Sequence, residues 1–381
     1  MRQKKNILRY KWIKDPCILI ALIVLLIGGL FVTPAGADDI DAIVAAAMQP
    51  PTWNGPTDSP DIAKNKFVLS IPCMQAAVGC QRPGDAFLEA AEVLGWKTQL
   101  IDPAGDPAKL QAAFKQAITL KVDGFFTAGT TIEQVKNVLP MVKVAEVKTV
   151  TQSGNLNQPG PESWDATINI DYENRSPALA AWVTKHSGGK AKMLMVNDSE
   201  FDDVNNGYIA FKKELSKLCP DCEIVEEIDF SIVDVATTMP QRVKASLLAN
   251  PGINYVYGPY DFGTTYINQA IVQAGLKGKV LSVSCDGNPQ NLQAIKDGLQ
   301  GATAAISFEW VGWNAADQLN RLFNGQQRWG TDKPEGSQEW YGNENCGIRL
   351  FDKTNLPDDI TNGWDGDVDF RANYKKIWGI E

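Results

Sequence analysis

Apolar and polar positions follow the same order in two separate stretches of the chain. In each, a short apolar strand leads into a helix, a strand ending in a polar loop, a second helix, and a third strand tipped with glycine. The first runs from Phe67-Val68-Leu69-Ser70-Ile71 to Val122-Asp123-Gly124-Phe125-Phe126-Thr127-Ala128-Gly129, the second from Lys192-Met193-Leu194-Met195-Val196 to Ile253-Asn254-Tyr255-Val256-Tyr257-Gly258. Phe67 and Phe125 lie 58 residues apart and Met193 and Tyr255 lie 62 apart, so the spacing of matching strands is nearly the same. The helical period is clear in Pro107 to Leu120, where Leu110, Ala113, Phe114, Ala117 and Ile118 share one face. The turn before it, Asp102 to Pro107, suits a helix start because aspartate caps and proline is tolerated at the first position.

Strands alternate with helices throughout, with further strands at Lys97 to Ile101, Lys148 to Gln152 and near Lys190, Glu223, Asn254 and Val280. Parallel neighbours need crossover connections, so this order predicts an α/β fold of two similar lobes, each a parallel sheet wrapped by helices. Open α/β sheets bind small ligands in the crevice at the carboxyl ends of their strands, which here is the cleft between the lobes.

Residues 1–37 break the pattern and read as an export signal. Arg2, Lys4, Lys5, Arg9, Lys11 and Lys14 precede an apolar run from Cys17 to Val32 and the small residues Ala35-Gly36-Ala37. The run of 16 residues is short for a membrane span, which needs about 20, so cleavage is expected over a retained anchor. Cys17 precedes the run, so no lipid is expected on it. Cleavage would remove six of 36 basic and one of 45 acidic side chains, leaving a net charge near −14. That balance lacks the basic footprint of nucleic-acid binding. Residues 38–63, with Pro50, Pro51, Pro56 and Pro60 around Trp53, read as a tether, an ordered arm being the alternative.

Six cysteines follow the signal, an even number in a compartment where disulfides persist. Proximity pairs Cys73 with Cys80 and Cys219 with Cys222, leaving Cys285 with Cys346. Cys219-Pro220-Asp221-Cys222 also has redox-motif spacing, but the helix Tyr208 to Leu218 ends at it, the wrong end of the dipole for lowering a thiol pKa. A structural clip is expected. His186 is the lone histidine, and no nucleophile elbow, phosphate loop or zinc spacing occurs. No cofactor or metal is expected.

The leader, the paired lobes, Val122-Asp123-Gly124-Phe125, the turn Cys285-Asp286-Gly287-Asn288-Pro289 and the tail Lys375-Lys376-Ile377-Trp378-Gly379 together resemble a type I periplasmic binding protein. The group most resembled is the ribose/galactose-type sugar receptors of ABC importers, over residues 64–379. The resemblance implies two Rossmann-like lobes joined by three crossovers near Gln152 to Asn157, Ser307 to Val311 and Cys346 to Leu350. The first lobe would hold residues 64–153 and 309–346, the second 154–308 and 347–381. It further implies a monomer, located outside the cytoplasm, that closes on a carbohydrate-like solute and presents it to a membrane permease.

Asp286 matches the family aspartate that accepts hydrogen bonds from sugar hydroxyls; its other reading is a cap for the following helix. Tyr260 and Asp261 match a pair at the third strand of the second lobe, where Tyr260 would stack or line the wall and Asp261 would contact ligand or cap its helix. Gln75, Gln152 and Asn206 stand where ribose-type receptors carry asparagine, arginine or aromatic contacts, so the site has fewer charges than a pentose pocket. This points to a less hydroxylated or more apolar solute. Trp310 and Trp313 would offer a stacking face or fill the core. Asp202, Asp203 and Asn205 read as a solvated loop, with ligand or cation contact as the alternative. Besides a transport receptor, a sensor feeding a membrane kinase or chemoreceptor and a two-carboxylate glycosidase are compatible with these residues.

Overall fold

The structure is a computed structural model that describes residues 37–152, 163–168, 170, 172–326 and 346–380. The expected export signal, residues 1–37, therefore lies outside the described residues except for Ala37. A first helix, α1 (Ala37–Ala47), precedes the lobes. The first lobe opens with β1 (Phe67–Pro72), α2 (Val78–Val93), β2 (Lys97–Leu100), α3 (Pro107–Thr119) and β3 (Gly124–Ala128). It continues with α4 (Ile132–Val135), α5 (Leu139–Val144), β4 (Lys148–Gln152) and β5 (Ala166–Ile168). The second lobe runs through α6 (Tyr172–His186), β6 (Lys192–Asn197), α7 (Asp202–Leu218), β7 (Glu223–Asp229) and α8 (Thr238–Ala249). Then come β8 (Tyr255–Tyr257), α9 (Asp261–Gln273), β9 (Leu281–Asp286), α10 (Pro289–Lys296) and β10 (Gln300–Ile306). The chain ends with α11 (Phe308–Phe323), β11 (Ile348–Asp352) and α12 (Phe370–Ile377).

Two sheets result, ordered β2-β1-β3-β4-β5 and β11-β10-β9-β8-β6-β7. All pairings are parallel except β10 with β11. The central strands β1, β3, β9 and β10 are buried along nearly their whole length, as parallel strands covered on both faces must be. In α3, Asp106 caps the helix by accepting from the N–H groups of Ala108 and Lys109, with Pro107 at its start.

The lobe boundaries differ from those read in the sequence. Gln152 ends β4, but β5, well past residue 154, still pairs with β4, so the chain leaves the first lobe only after Ile168. The return crossing falls at Ser307. Its N–H donates to the carbonyl of Cys346 at 3.0 Å and its hydroxyl to the carbonyl of Asp365 at 2.7 Å, binding three inter-lobe segments at one residue. After β11 the chain crosses once more, because α12 packs on α11 of the first lobe. Trp378 stacks on Trp313 with centroids 5.3 Å apart, and its indole N–H donates to Asp317 Oδ1 at 2.8 Å. Helix α11 lies close against α2 because Gly312 leaves room: a Cβ there would stand 2.5 Å from the Pro83 carbonyl oxygen.

Residues 38–63 are a packed arm and not a tether. Helix α1 lies on the second lobe, where Asp41 pairs with Lys185, and Arg349 Nε reaches the Met48 carbonyl at 2.9 Å. Trp53 then stacks on Trp310 with centroids 5.1 Å apart. Farther on, Ser59 donates to Asp317 Oδ1 at 3.1 Å and the Ala63 N–H to Asn320 Oδ1 at 2.9 Å, both on the first lobe. Apolar side chains at Ile40, Val44 and Trp53 supply the burial that the prolines concealed.

Cys73 bonds Cys80 and Cys219 bonds Cys222, whereas Cys285 and Cys346, both buried, are not bridged to each other. The expected third bridge fails because strand β10 intervenes. Ala304 of β10 sits beside Cys285 on one side and Leu350 on the other, and Cys346 lies four residues farther back. Adjacent strands are about 4.8 Å apart, and a bridge needs Cα atoms within about 7 Å.

Candidate functional site

The carboxyl ends of the strands bring the polar residues of both lobes to one cavity. Its first-lobe wall is Ala77, Gly79, Cys80, Gly129 and Gln152, and its floor is Ile170, Tyr172 and Phe308. The second lobe adds Phe201, Asp203, Val204, Ile232, Tyr260, Phe262 and Asp286. The space open to the centre of a water molecule is about 50 Å³.

Asp286 ends β9 with its backbone at φ 127°, a conformation that side chains other than glycine adopt only when the surroundings impose it, and which concentrates at functional sites. The side chain is 2% exposed. Its Oδ1 accepts from the Tyr172 hydroxyl at 2.8 Å and lies 3.9 Å from Arg175 Nη1, and its Oδ2 accepts from the Asp261 N–H at 3.2 Å. Oδ2 also faces the other lobe, since a Cβ on Gly79 would stand 3.5 Å from it. Burial raises the Asp286 carboxyl well above the usual range, neighbouring Asp261 raises it further, and Arg175 opposes the rise.

Asp261 holds that turn in place and does not reach the cavity wall. Its Oδ2 accepts from the N–H groups of Gly287 and Asn288, both at 2.8 Å, while Oδ1 takes the hydroxyls of Thr303, at 3.1 Å, and Ser284. The carboxylate is fully buried, and its pKa is raised by burial, which these donors oppose. Gly287, at φ 81°, is needed here because a Cβ would stand 2.5 Å from that of Ala305.

Tyr260 lines the cavity and donates its hydroxyl to Asp198 Oδ2 at 2.7 Å. Burial pushes the Asp198 carboxyl up to about 8, against the Tyr260 hydrogen bond. Gln152 is on the wall, its amide 3.5 Å from the Gly79 carbonyl oxygen. Three sequence candidates lie elsewhere. Gln75 donates its side-chain amide to Asp85 and its backbone N–H to Asp102, away from the cavity lining, Asn206 is exposed on α7, and Trp310 is fully buried between Trp53 and Phe370. Trp313 is likewise core. Asp203, in the first turn of α7, meets the cavity, whereas Asn206, three residues on, is exposed. Asn205 bonds Asn197, and no group of three or more His, Cys, Asp or Glu among the described residues is placed to hold a metal ion.

Sequence reasoning missed Tyr172, Phe201, Ile232, Phe262 and Phe308 as cavity residues. Phe201, Ile232, Phe262 and Phe308 follow the ends of β6, β7, β8 and β10 by two to five residues, so the strand-end rule that picked out Asp286 would have found them. The lone histidine is far from the cavity, stacked on Trp182 with centroids 4.5 Å apart and bonded to the Tyr255 hydroxyl.

The sequence profile of the periplasmic binding protein domain matches residues 67–327. The chain belongs to the periplasmic binding protein family. Solved structures share this periplasmic binding protein's fold at low identity. A solute-binding protein of an ABC transporter from Burkholderia graminis, in complex with D-arabinose, is 19% identical, with 79% of this chain and 99% of that one covered and a TM-score of 0.65. One from Agrobacterium vitis bound to α-D-tagatopyranose is 18% identical over 77% and 97%, TM-score 0.67. A 5-methylthioribose transporter protein from Thermotoga lettingae is 16% identical over 84% and 95%, TM-score 0.66. No curated protein matches the chain. The family is one of extracytoplasmic binding proteins, not of enzymes, and among the described residues no helix is long and apolar enough to cross a membrane.

Proposed function

We propose that this periplasmic binding protein is the receptor of an ABC importer, capturing a small sugar-like solute between its lobes without chemical turnover and delivering it to a membrane permease. In this reading the chain is exported, loses its leader and acts as a monomer. The observation that carries it is Asp286. A buried carboxylate held at a strained backbone angle faces the opposite lobe across a cavity at the strand ends, and charge-assisted hydrogen bonds to a captured solute repay such burial. The likeness to proteins solved with D-arabinose, tagatopyranose and 5-methylthioribose supports a solute of that size.

Small-angle scattering and thermal unfolding against a panel of pentoses, hexoses, polyols and their amino derivatives test it. A true ligand at a hundred times its Kd stabilises by about 2.7 kcal/mol and compacts the particle. An unchanged scattering profile and melting curve across the whole panel would refute the receptor reading.

A further inference from the structure

A buried arginine joins the two lobes beside the crossings. Arg82, near the start of α2, pairs with Glu309 of α11 inside the first lobe, with Nε 2.8 Å from Oε1 and Nη2 2.7 Å from Oε2. Its other N–H groups reach the second lobe. Nη2 also donates to the Trp364 carbonyl at 2.8 Å, and Nη1 donates to Asn288 Oδ1 at 3.2 Å and to the Gly287 carbonyl at 3.4 Å. A guanidinium has five N–H donors in a fixed fork, and these bonds use all five. Trp364 belongs to the second lobe, its ring edge-on to Phe351 of β11 with centroids 5.2 Å apart. Gly363 makes room for the arrangement: at φ 84°, a Cβ there would stand 2.9 Å from both Arg82 Nη1 and the Gly287 carbonyl oxygen. The guanidinium also faces the ring of Phe308, on the cavity floor, at 5.4 Å.

These bonds sit where the lobes turn on one another. Glu309 is two residues past Ser307, and Trp364 precedes Asp365, whose carbonyl accepts from the Ser307 hydroxyl. Gly287 and Asn288 directly follow Asp286, which faces the first lobe across the cavity. Further charges brace the pair: Arg371 of α12 binds Asp365 at 2.7 Å and Glu89 of α2 at 2.9 Å. Burial and then neighbouring Glu309 push the Asp365 carboxyl up to about 6, against Arg371. We propose that Arg82 is a positioning residue for capture: fixed to the first lobe by Glu309, it holds the Asp286 turn and the last crossing, so that closure of the lobes and the aim of Asp286 are set together. Arg82 is not a lining residue of the cavity, so its effect on capture runs through the turn. The inference rests on the receptor reading of that cavity and goes beyond it by naming a residue outside the wall that governs closure. Lysine cannot substitute, because an ammonium presents three donors at one point and does not span a carboxylate and three further acceptors.

Small-angle scattering and hydrogen–deuterium exchange of the solute-free protein test this in Arg82→Lys and in Arg82→Met/Glu309→Gln, the double variant leaving no carboxylate stranded without its cation. Both variants should scatter as larger particles than the wild type. Peptides spanning residues 284–291 and 360–366 should exchange about tenfold or more faster, the change expected from one lost charge-assisted bond, while those from β1, β3 and β6 keep their rates. Particles of unchanged size, or acceleration spread evenly over both sheets, would overturn the inference. D-arabinose and D-tagatose separate it from the receptor reading. Where either sugar compacts the wild type, the variants should bind it about tenfold or more weakly, chiefly through faster release; equal affinity would overturn the role of Arg82 and keep the receptor. Compaction by neither sugar, nor by any other in the panel, removes the receptor and leaves the Arg82 tie to stand or fall on the solute-free measurements.

Discussion

Removing the Asp261 carboxylate tests how the site is held in place. In Asp261→Ala, the N–H groups of Gly287 and Asn288, each now 2.8 Å from Asp261 Oδ2, lose their acceptor in a region closed to water. Backbone donors cannot turn away, and each buried unsatisfied group costs about 1–3 kcal/mol. The hydroxyls of Ser284 and Thr303 can rotate to other acceptors, and the buried carboxylate's own desolvation cost is recovered. The net loss is about 3–4 kcal/mol. Asp261→Asn behaves differently, because its amide oxygen can take both N–H groups while its NH₂ donates to the two hydroxyl oxygens. That variant stays within about 1 kcal/mol of the wild type. Urea unfolding followed by tryptophan fluorescence measures both, at constant m-value. Solute affinity should fall in the alanine variant as well, since the turn that aims Asp286 is released. An alanine variant within about 1 kcal/mol of wild type, or an asparagine variant as damaged as the alanine one, would refute the account of Asp261 as the clamp of this turn.

Two further outcomes follow from the arm and from Asp198. Trp53→Ala removes the ring stacked on Trp310 and set edge-on to Tyr374 and should cost about 2–4 kcal/mol of unfolding free energy; a tether would give less than about 0.5 kcal/mol. Asp198 has its folded pKa raised from 3.8 to about 8, so the folded state holds a proton that the unfolded state releases. Its contribution is complete below the unfolded pKa and is lost as pH rises through the folded one. Between about pH 4 and 8, unfolding free energy measured in urea should fall with pH, and Asp198→Asn should flatten that slope by up to about 1.4 kcal/mol per pH unit. An unaltered slope would show that Asp198 is already ionised in the folded protein.

Much of this was legible in the residues. Asp286 could be placed because an apolar strand followed by Asp-Gly-Asn-Pro is a local pattern, and Cys219 with Cys222 because three residues of separation leave few other partners. The cavity was legible only in part. Strand ends identify which loops converge, but not which residues of the following helix border the cavity, as Asp203 does and Asn206 does not. Trp310 looked like a stacking platform because a tryptophan beside a crossover is equally suited to ligand and core. The arm, whose Trp53 covers it, reads as proline-rich linker until the partner ring is in view.

By itself the sequence determined the class of fold and the number of lobes, because strand and helix periods are set by neighbours a few residues apart. It also determined the residues at the tip of β9, where turn chemistry is local. Only the tertiary structure decided which strand closes the first sheet, that β10 separates Cys285 from Cys346, and that Asp261 serves the backbone beneath Asp286. It also decided that Asp203, Asp286 and aromatic rings border one cavity. Each of those outcomes depends on groups far apart in the chain coming within a few ångströms, where burial and hydrogen-bond geometry, not local preference, set the energy.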